Sequence, residues 1–299
     1  MQGRRYLIYD VFTEEALGGN PLAIVLDCEG LDERAMLRVA REFNLSETVF
    51  VSSPGQARHR ARIRIFTPQY EMPFAGHPTV GTAVALAQDA GEGASILVLE
   101  ENIGPVRCAV SQNGGFAEFD LPRLPERLDL SAEAEAVGAA LGLSPHEIGF
   151  ENHRVSCWSA GVPYVLIPVA GVEEAARARL DRRLWADLSP RKSSTAVASA
   201  YVYCRETIRH DSAFHARMFV PGEPSYEDPA TGSAAAAFAG AVMHFDGPGE
   251  GMSRLWIEQG MEMERPSRIR LELDVENGRL AAARIGGNAV RVAEGRIFV

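Results

Sequence analysis

No uninterrupted apolar stretch in the 299 residues reaches the roughly 20 that a membrane-spanning helix needs, so no membrane partner is expected. The start, Met1-Gln2-Gly3-Arg4-Arg5-Tyr6, is basic, but the apolar run after it is broken by Asp10 and no small-residue cleavage site follows. That is not a secretory leader, and a cytoplasmic protein is expected. Cysteine is scarce: Cys28, Cys108, Cys157 and Cys204 lie far apart with no CxxC. The spacing suits reduced, mostly buried thiols better than a disulfide frame or a zinc site. Basic charge is short as well, the net charge being −10, which argues against a nucleic-acid partner. The chain also lacks a Walker loop, a GxGxxG after a strand and a GxSxG nucleophile elbow.

What is present is a phrase said twice. Glu227-Asp228-Pro229-Ala230-Thr231-Gly232-Ser233 aligns without a gap beneath Glu71-Met72-Pro73-Phe74-Ala75-Gly76-His77-Pro78, matching Glu on Glu, Pro on Pro and Gly on Gly. A Phe-x-Pro precedes each copy, Phe66-Thr67-Pro68 and Phe219-Val220-Pro221, and a run of small and apolar residues follows each. Gly161-Val162-Pro163-Tyr164-Val165 echoes Gly19-Asn20-Pro21-Leu22-Ala23 in the same way. At this length, with 46% hydrophobic residues, two domains of ordinary size are expected. The proline-rich Leu121-Pro122-Arg123-Leu124-Pro125-Glu126 marks the linker. The expected domains are 1–122, completed by a C-terminal strand from about 287–299, and 123–286.

Strands are expected over Tyr6–Phe12, Leu22–Leu26, Val49–Val51 and Arg62–Phe66, then around Ile96–Leu99, Val106–Val110 and Phe116–Phe119. Between the first of these, Asp32 should cap a helix burying Met36, Val39, Ala40 and Phe43 and stopping at Asn44. The second half restarts with a helix from Ser131 to about Leu141, helical stretches from Val172 to Asp187, and strands over Ala196–Cys204 and Phe214–Val220. Four strand-like runs close the chain: Arg254–Glu258, Arg268–Leu273, Leu280–Ile285 and Ala289–Phe298. The two motif helices are apolar on every side, and helices of that kind are buried all round. With about eight short strands per half, the economical arrangement is α+β: two pseudo-symmetric domains, each a curled, mostly antiparallel sheet around one central helix.

The chemistry sits at the start of those helices. Pro78 suits the first helical position, which makes His77 the expected N-cap and leaves Gly76 just outside; Ser233 falls in the corresponding place. Open backbone N–H groups and the positive dipole end beside a glycine suit a small carboxylate. His77, Asp228, Glu227 and Glu71 are the nearby acids and bases. Glu47 stands between Leu45-Ser46 and Val49-Phe50-Val51, where a carboxylate is a cap, a surface residue or a working group. Partly buried, it would have a raised pKa and could accept and return a proton. The other histidines, His59, His146, His153, His210, His215 and His244, show no metal-ligand spacing and are read as mostly solvated.

Gly19-Asn20-Pro21, Asn44-Leu45-Ser46-Glu47-Thr48, Ile65-Phe66-Thr67-Pro68, the two repeated motifs and Gln259-Gly260-Met261-Glu262-Met263-Glu264-Arg265-Pro266-Ser267 together resemble the phenazine-biosynthesis PhzF family, which shares the diaminopimelate-epimerase-like fold. The resemblance runs through nearly the whole chain. It implies a cofactor-free, metal-free isomerase, usually a homodimer, with its active site in the cleft between the domains. It also implies general acid/base chemistry of the kind that tautomerises trans-2,3-dihydro-3-hydroxyanthranilate. Carried over by motif, the proton-moving glutamate falls on Glu47 and its assistants on His77 and Asp228. Substrate binding falls on Asn20, Ser46, Gly76, Gly232 and Ser233. The fold also hosts epimerases with a cysteine before each motif glycine; here those places hold Ala75 and Thr231, which disfavours two-thiol racemisation. The alternatives are an epimerase using carboxylate and imidazole, and a non-catalytic small-molecule binding protein.

Overall fold

The computed structural model describes residues 3–190, 197–222 and 225–299; Met1, Gln2 and Ala196, named above, lie outside them. The chain divides into two compact units, Met1–Asp120 with Gly286–Val299, and Leu121–Ile285.

The first unit carries β1 (Gly3–Val11), β2 (Asn20–Val25), α1 (Glu33–Phe43), β3 (Glu47–Ser52), β4 (Ala61–Phe66), β5 (Glu71–Met72), α2 (Gly76–Asp89), β6 (Ser95–Glu101), β7 (Gly104–Val110) and β8 (Phe116–Asp120). β1–β2, β3–β4, β4–β5, β6–β7 and β7–β8 pair antiparallel. β2–β3 and β4–β6 pair parallel, and parallel neighbours need a crossover. α1 supplies the first crossover and α2 the second.

α1 follows its local signals. The Asp32 carboxylate accepts from the Ala35 N–H at 2.8 Å, and Met36, Val39 and Ala40 are buried. Asn44 then turns left-handed at φ 52 and donates its N–H to the Ala40 carbonyl. Its apolar stripe lies on Val25, Phe50 and Phe66, each such side chain contributing about 1.5–3 kcal/mol when fully buried. α2 is different, because every residue from Gly76 to Ala85 is buried. It packs against β1, β2, β3, β6, β7 and β8, so the sheet curls around it. A Cβ at Gly81 would stand 2.6 Å from Val11 Cγ2 and 2.7 Å from Leu22 Cδ2; the helix sits that close because the glycine lets it.

The second unit carries β9 (Glu126–Leu128), α3 (Ala134–Leu141), β10 (Ser156–Ser159), β11 (Pro163–Pro168), α4 (Val172–Arg177), α5 (Arg182–Leu188), β12 (Ser199–Cys204), β13 (Phe214–Val220), β14 (Tyr226–Asp228), α6 (Gly232–Phe245), β15 (Gly251–Gln259) and β16 (Ser267–Glu276). Its pairing repeats the first: β11–β12 and β13–β15 are parallel, while β12–β13 and β13–β14 are antiparallel. α6 packs against β9, β10, β11 and β16 and is buried from Ala234 to Val242. α3, α4 and α5 close a further core around Trp185. Each unit is α+β, a curled, mostly antiparallel sheet around one buried helix, as the diaminopimelate-epimerase-like fold requires.

The chain ends otherwise than its pattern suggests. The two runs expected at Leu280–Ile285 and Ala289–Phe298 are one strand, β17 (Arg279–Phe298). Gly286-Gly287-Asn288 reads as a break, yet Gly286 serves close packing: a Cβ there would meet the Phe116 ring at 2.7 Å and the Ala117 carbonyl at 3.0 Å. From Ala289 onward β17 pairs antiparallel with β1, with a register shift at Ile8/Tyr9.

Candidate active site

In the first unit, the left-handed turn at Asn44 ends α1 abruptly, and Ser46, half-buried, leads straight into Glu47 at the head of β3. The β2–β3 register sets Leu22 opposite Glu47, and Asn20, fully buried, opens β2. Glu47 Oε2 lies 3.5 Å from His77 Nε2, with side-chain exposures of 16% and 6%. Burial pushes the His77 pKa down to about 3, so at neutral pH the imidazole is uncharged. The contact is therefore a neutral ring against a carboxylate and not an ion pair. His77 Nε2 makes no hydrogen bond among the described atoms, which leaves it available to a ligand or to Glu47. Tyr70 stands near the same carboxylate, since the charge of Glu47 adds to the desolvation that raises its phenol pKa.

His77 does not cap α2. The N-cap is Ala75, extended at φ −154 and ψ 136, so that Gly76 and His77 are the first two helical residues and Pro78 the third. Proline is tolerated at the third position for the reason it is at the first: no first-turn N–H has an intrahelical acceptor. The N–H groups of Gly76 and His77 belong to that open turn. α6 is shifted in the same way. Thr231 is its N-cap, Gly232 its first residue and Ser233 its second, and the Ser233 hydroxyl meets the Tyr164 hydroxyl at 2.7 Å.

In the second unit, Asp228 closes β14 and is 7% exposed. Its Oδ2 accepts from the Thr231 hydroxyl at 2.5 Å. Gln259, fully buried, brackets the turn: its Nε2 donates to the Asp228 carbonyl at 2.8 Å and to Thr231 Oγ1 at 3.1 Å, and its Oε1 accepts from the Thr231 N–H. The next residue, Gly260, has φ +77, and a Cβ there would fall 2.6 Å from the Pro229 carbonyl. Gln259 lies in the block Gln259–Ser267, but nothing in its local sequence marks it for this role.

The two motif glutamates leave the list of acids and bases. Arg64 grips Glu71 through Nε at 2.7 Å and Nη2 at 2.5 Å, and Arg217 grips Glu227 through the same atoms at 2.8 Å each. Bidentate pairs of this kind fix a carboxylate; the Arg64 hydrogen bonds are the leading cause of the lowered Glu71 pKa. Each Arg stands two residues before the Phe of its Phe-x-Pro.

Three of the six remaining histidines are buried, contrary to the solvated reading, because each finds partners far away in sequence. His59 Nδ1 meets Glu100 Oε1 at 2.7 Å, and His153 lies between the Tyr203 hydroxyl and Asp246 Oδ1, each at 2.9 Å. His215 lies between Glu258 and Glu262, also at 2.9 Å each. Burial opposes charge on His215, but those carboxylates outweigh it and raise its pKa to about 9. His146, His210 and His244 are exposed.

Glu151, His153 and Asp246 have ligand atoms within 4.8 Å of one another, but the Arg205 guanidinium already fills the cation's place, donating to Asp246 Oδ1 at 2.5 Å and Glu151 Oε2 at 3.4 Å. The donor set therefore fits an arginine and not a metal ion. All four cysteines are buried and outside any disulfide, and burial pushes the thiols of Cys28 and Cys204 up to about 12. A depression of about 280 Å³ on the first unit is lined by Leu26, Glu29, Val51, Arg60 and their neighbours, and by none of the candidate residues.

The family described as phenazine biosynthesis-like protein, PhzC-PhzF, matches residues 9–295. An uncharacterized isomerase of Mesorhizobium japonicum is 71% identical, with 100% of both chains covered. The trans-2,3-dihydro-3-hydroxyanthranilate isomerase of Pseudomonas aeruginosa is 36% identical over 99% of each chain. Among solved structures, a PhzF-family phenazine biosynthesis protein of Bacillus anthracis superposes with a TM-score of 0.87 at 28% identity, covering 100% of both chains. A hydroxyproline epimerase of Agrobacterium vitis shares the fold at a TM-score of 0.64 and 14% identity, covering 99% of this chain and 91% of its own.

Proposed function

Because the chain belongs to the phenazine biosynthesis-like PhzC-PhzF family and is an isomerase, we propose that it moves a proton within a small carboxylated metabolite of the trans-2,3-dihydro-3-hydroxyanthranilate type. Glu47 is the proton carrier. The observation that carries this reading is the half-buried Glu47 carboxylate 3.5 Å from an uncharged, buried imidazole.

The roles divide by protonation state. Ionised Glu47 takes the proton from one carbon, leaving a negative charge delocalised over the substrate, and the resulting acid, whose proton exchanges with solvent, delivers a proton to a second carbon. The proton count closes on Glu47 alone, and one group held near both carbons replaces a bimolecular step. With its pKa near 3, His77 does not carry the proton. It donates a hydrogen bond to the charge as it develops, as does the first-turn N–H of Gly76. Asp228 assists, and Asn20, Ser46, Gly232 and Ser233 bind substrate, Ser233 with its hydroxyl oriented by Tyr164. No step calls for a cofactor, and the working unit is a homodimer.

Incubation with trans-2,3-dihydro-3-hydroxyanthranilate in deuterated water tests the reading. Wild type should form the tautomer with solvent deuterium at the accepting carbon, and Glu47→Gln should lose roughly 10²- to 10⁴-fold in rate. Full activity in Glu47→Gln overturns the assignment. Inversion of a stereocentre without proton migration would make the protein an epimerase instead.

A further inference from the structure

The Thr79 hydroxyl lies 2.8 Å from two oxygens, the Ala75 backbone carbonyl and Oε1 of Glu101. A hydroxyl has one proton to give, and a carbonyl can only accept. If Thr79 gives its proton to Ala75, the back-bond a helical threonine favours, then the contact with Glu101 needs a proton from Glu101. If Glu101 is ionised, Thr79 must turn its proton to the carboxylate, and the Ala75 carbonyl keeps only the Thr79 N–H at 3.2 Å.

The other carboxyl oxygen decides between the two. Glu101 is 7% exposed, and its Oε2 is buried with no hydrogen-bond partner. Half a negative charge on a dry, unpartnered oxygen is costly, whereas the carbonyl oxygen of a neutral acid tolerates the position. Burial accordingly raises the Glu101 pKa to about 8, the Thr79 hydrogen bond opposing.

The elements packed on the end of β6 are α2, β4 and β7. From β7 the Cys108 thiol faces Glu101, its own pKa raised by burial and by that carboxylate, while Arg107 engages Asp120. From β4, Arg64 engages Glu71 and Arg62 turns its charge toward Glu71. From α2, His77 faces Glu47. On β6 itself, Glu100 engages His59. No cation among these holds Glu101 ionised.

We propose that Glu101 is a positioning residue, a neutral carboxylic acid that donates to Thr79, which in turn fixes the N-cap carbonyl of α2 and so the placement of Gly76 and His77. Its importance for turnover rests on the reading of Glu47 and His77 above, but the protonation relay does not. The second motif helix has Ala235 where α2 has Thr79, and its start is held by Gln259 instead. As pH rises past about 8, Glu101 ionises, the Thr79 proton swings away from Ala75, and the start of α2 is released.

The test needs no substrate. In wild type, the Gly76 and His77 amide resonances should shift together with an inflection near pH 8, and infrared difference spectra against Glu101→Gln should show a buried carboxylic acid at neutral pH. Glu101→Gln, which keeps a donor toward Thr79 without titrating, should give flat amide shifts. With turnover established, it should retain neutral-pH activity while losing the alkaline limb; Thr79→Val should lose between about tenfold and a hundredfold at every pH. The absence of a protonated-carboxyl band, or an inflection that persists in Glu101→Gln, overturns the proposal. Loss of proton exchange in every variant and in wild type would instead overturn the catalytic reading and leave the relay standing.

Discussion

Gln259 holds Thr231 from both sides, accepting from its N–H at 3.3 Å and donating to its hydroxyl at 3.1 Å, and Thr231 passes its own proton to Asp228. One buried amide thus sets the orientation of the Asp228 carboxylate. Gln259→Leu strands the Asp228 carbonyl and the Thr231 N–H, so a loss of about 1–3 kcal/mol in urea unfolding is expected. In turnover assays kcat should fall more than KM rises, because the fold survives while the carboxylate is no longer aimed.

His77 should remain neutral through the working pH range. An imidazole NMR titration should show no inflection for it between pH about 5 and about 8. Its folded pKa of about 3 lies below the reference value of 6.5, so above 6.5 neither state is charged and its titration does not alter stability. As pH falls from 6.5 toward 3 only the unfolded chain gains the proton, and stability drops. His77→Asn should flatten that part of the acid limb.

His215 works in the opposite sense. Its folded pKa of about 9 exceeds 6.5, so its contribution is complete below 6.5 and is lost as pH rises through 9. Urea midpoints of wild type should decline over that window, and His215→Gln should be less stable at neutral pH with a flatter profile.

The two arginine clamps should differ in cost. Arg217 is 4% exposed and also donates to the Ala175, Ala176 and Ala178 carbonyls at the end of α4. Arg217→Met should cost about 3–5 kcal/mol, as expected when one member of a buried pair is removed. Arg64, 23% exposed, should cost about 1 kcal/mol as Arg64→Met. Chemical denaturation of both variants measures the difference.

Much of this is legible in the sequence, and most of what is not has one cause. α1 was readable from end to end because its cap, stripe and stop are local: Asp32, Met36 to Ala40, Asn44. The two buried helices were readable because the chain repeats them. Their first residues were misplaced because His77-Pro78 and Ser233 are good local caps, whereas the actual starts are set by Thr79 with Glu101 and by Gln259, partners a local reading does not weigh. The buried histidines were missed for the same reason, since Glu258, Glu262 and Asp246 stand far from them in the chain. Arg64 and Arg217 are legible by repetition: they precede the repeated Phe-x-Pro at matching places and carry the charge that the motif glutamates need.

β17 gives the molecule an order of assembly during synthesis. The second unit, Leu121–Ile285, is contiguous and has its full complement of residues when Ile285 has emerged. The first unit takes most of its residues from before Leu121 but also needs Gly286–Val299, and β1 finds its β17 neighbour only over Ala289–Phe298. Domains commonly fold in the order they leave the ribosome; here the earlier-born unit, the one that carries Glu47, is completed only by β17, which is made after nearly all of the second unit.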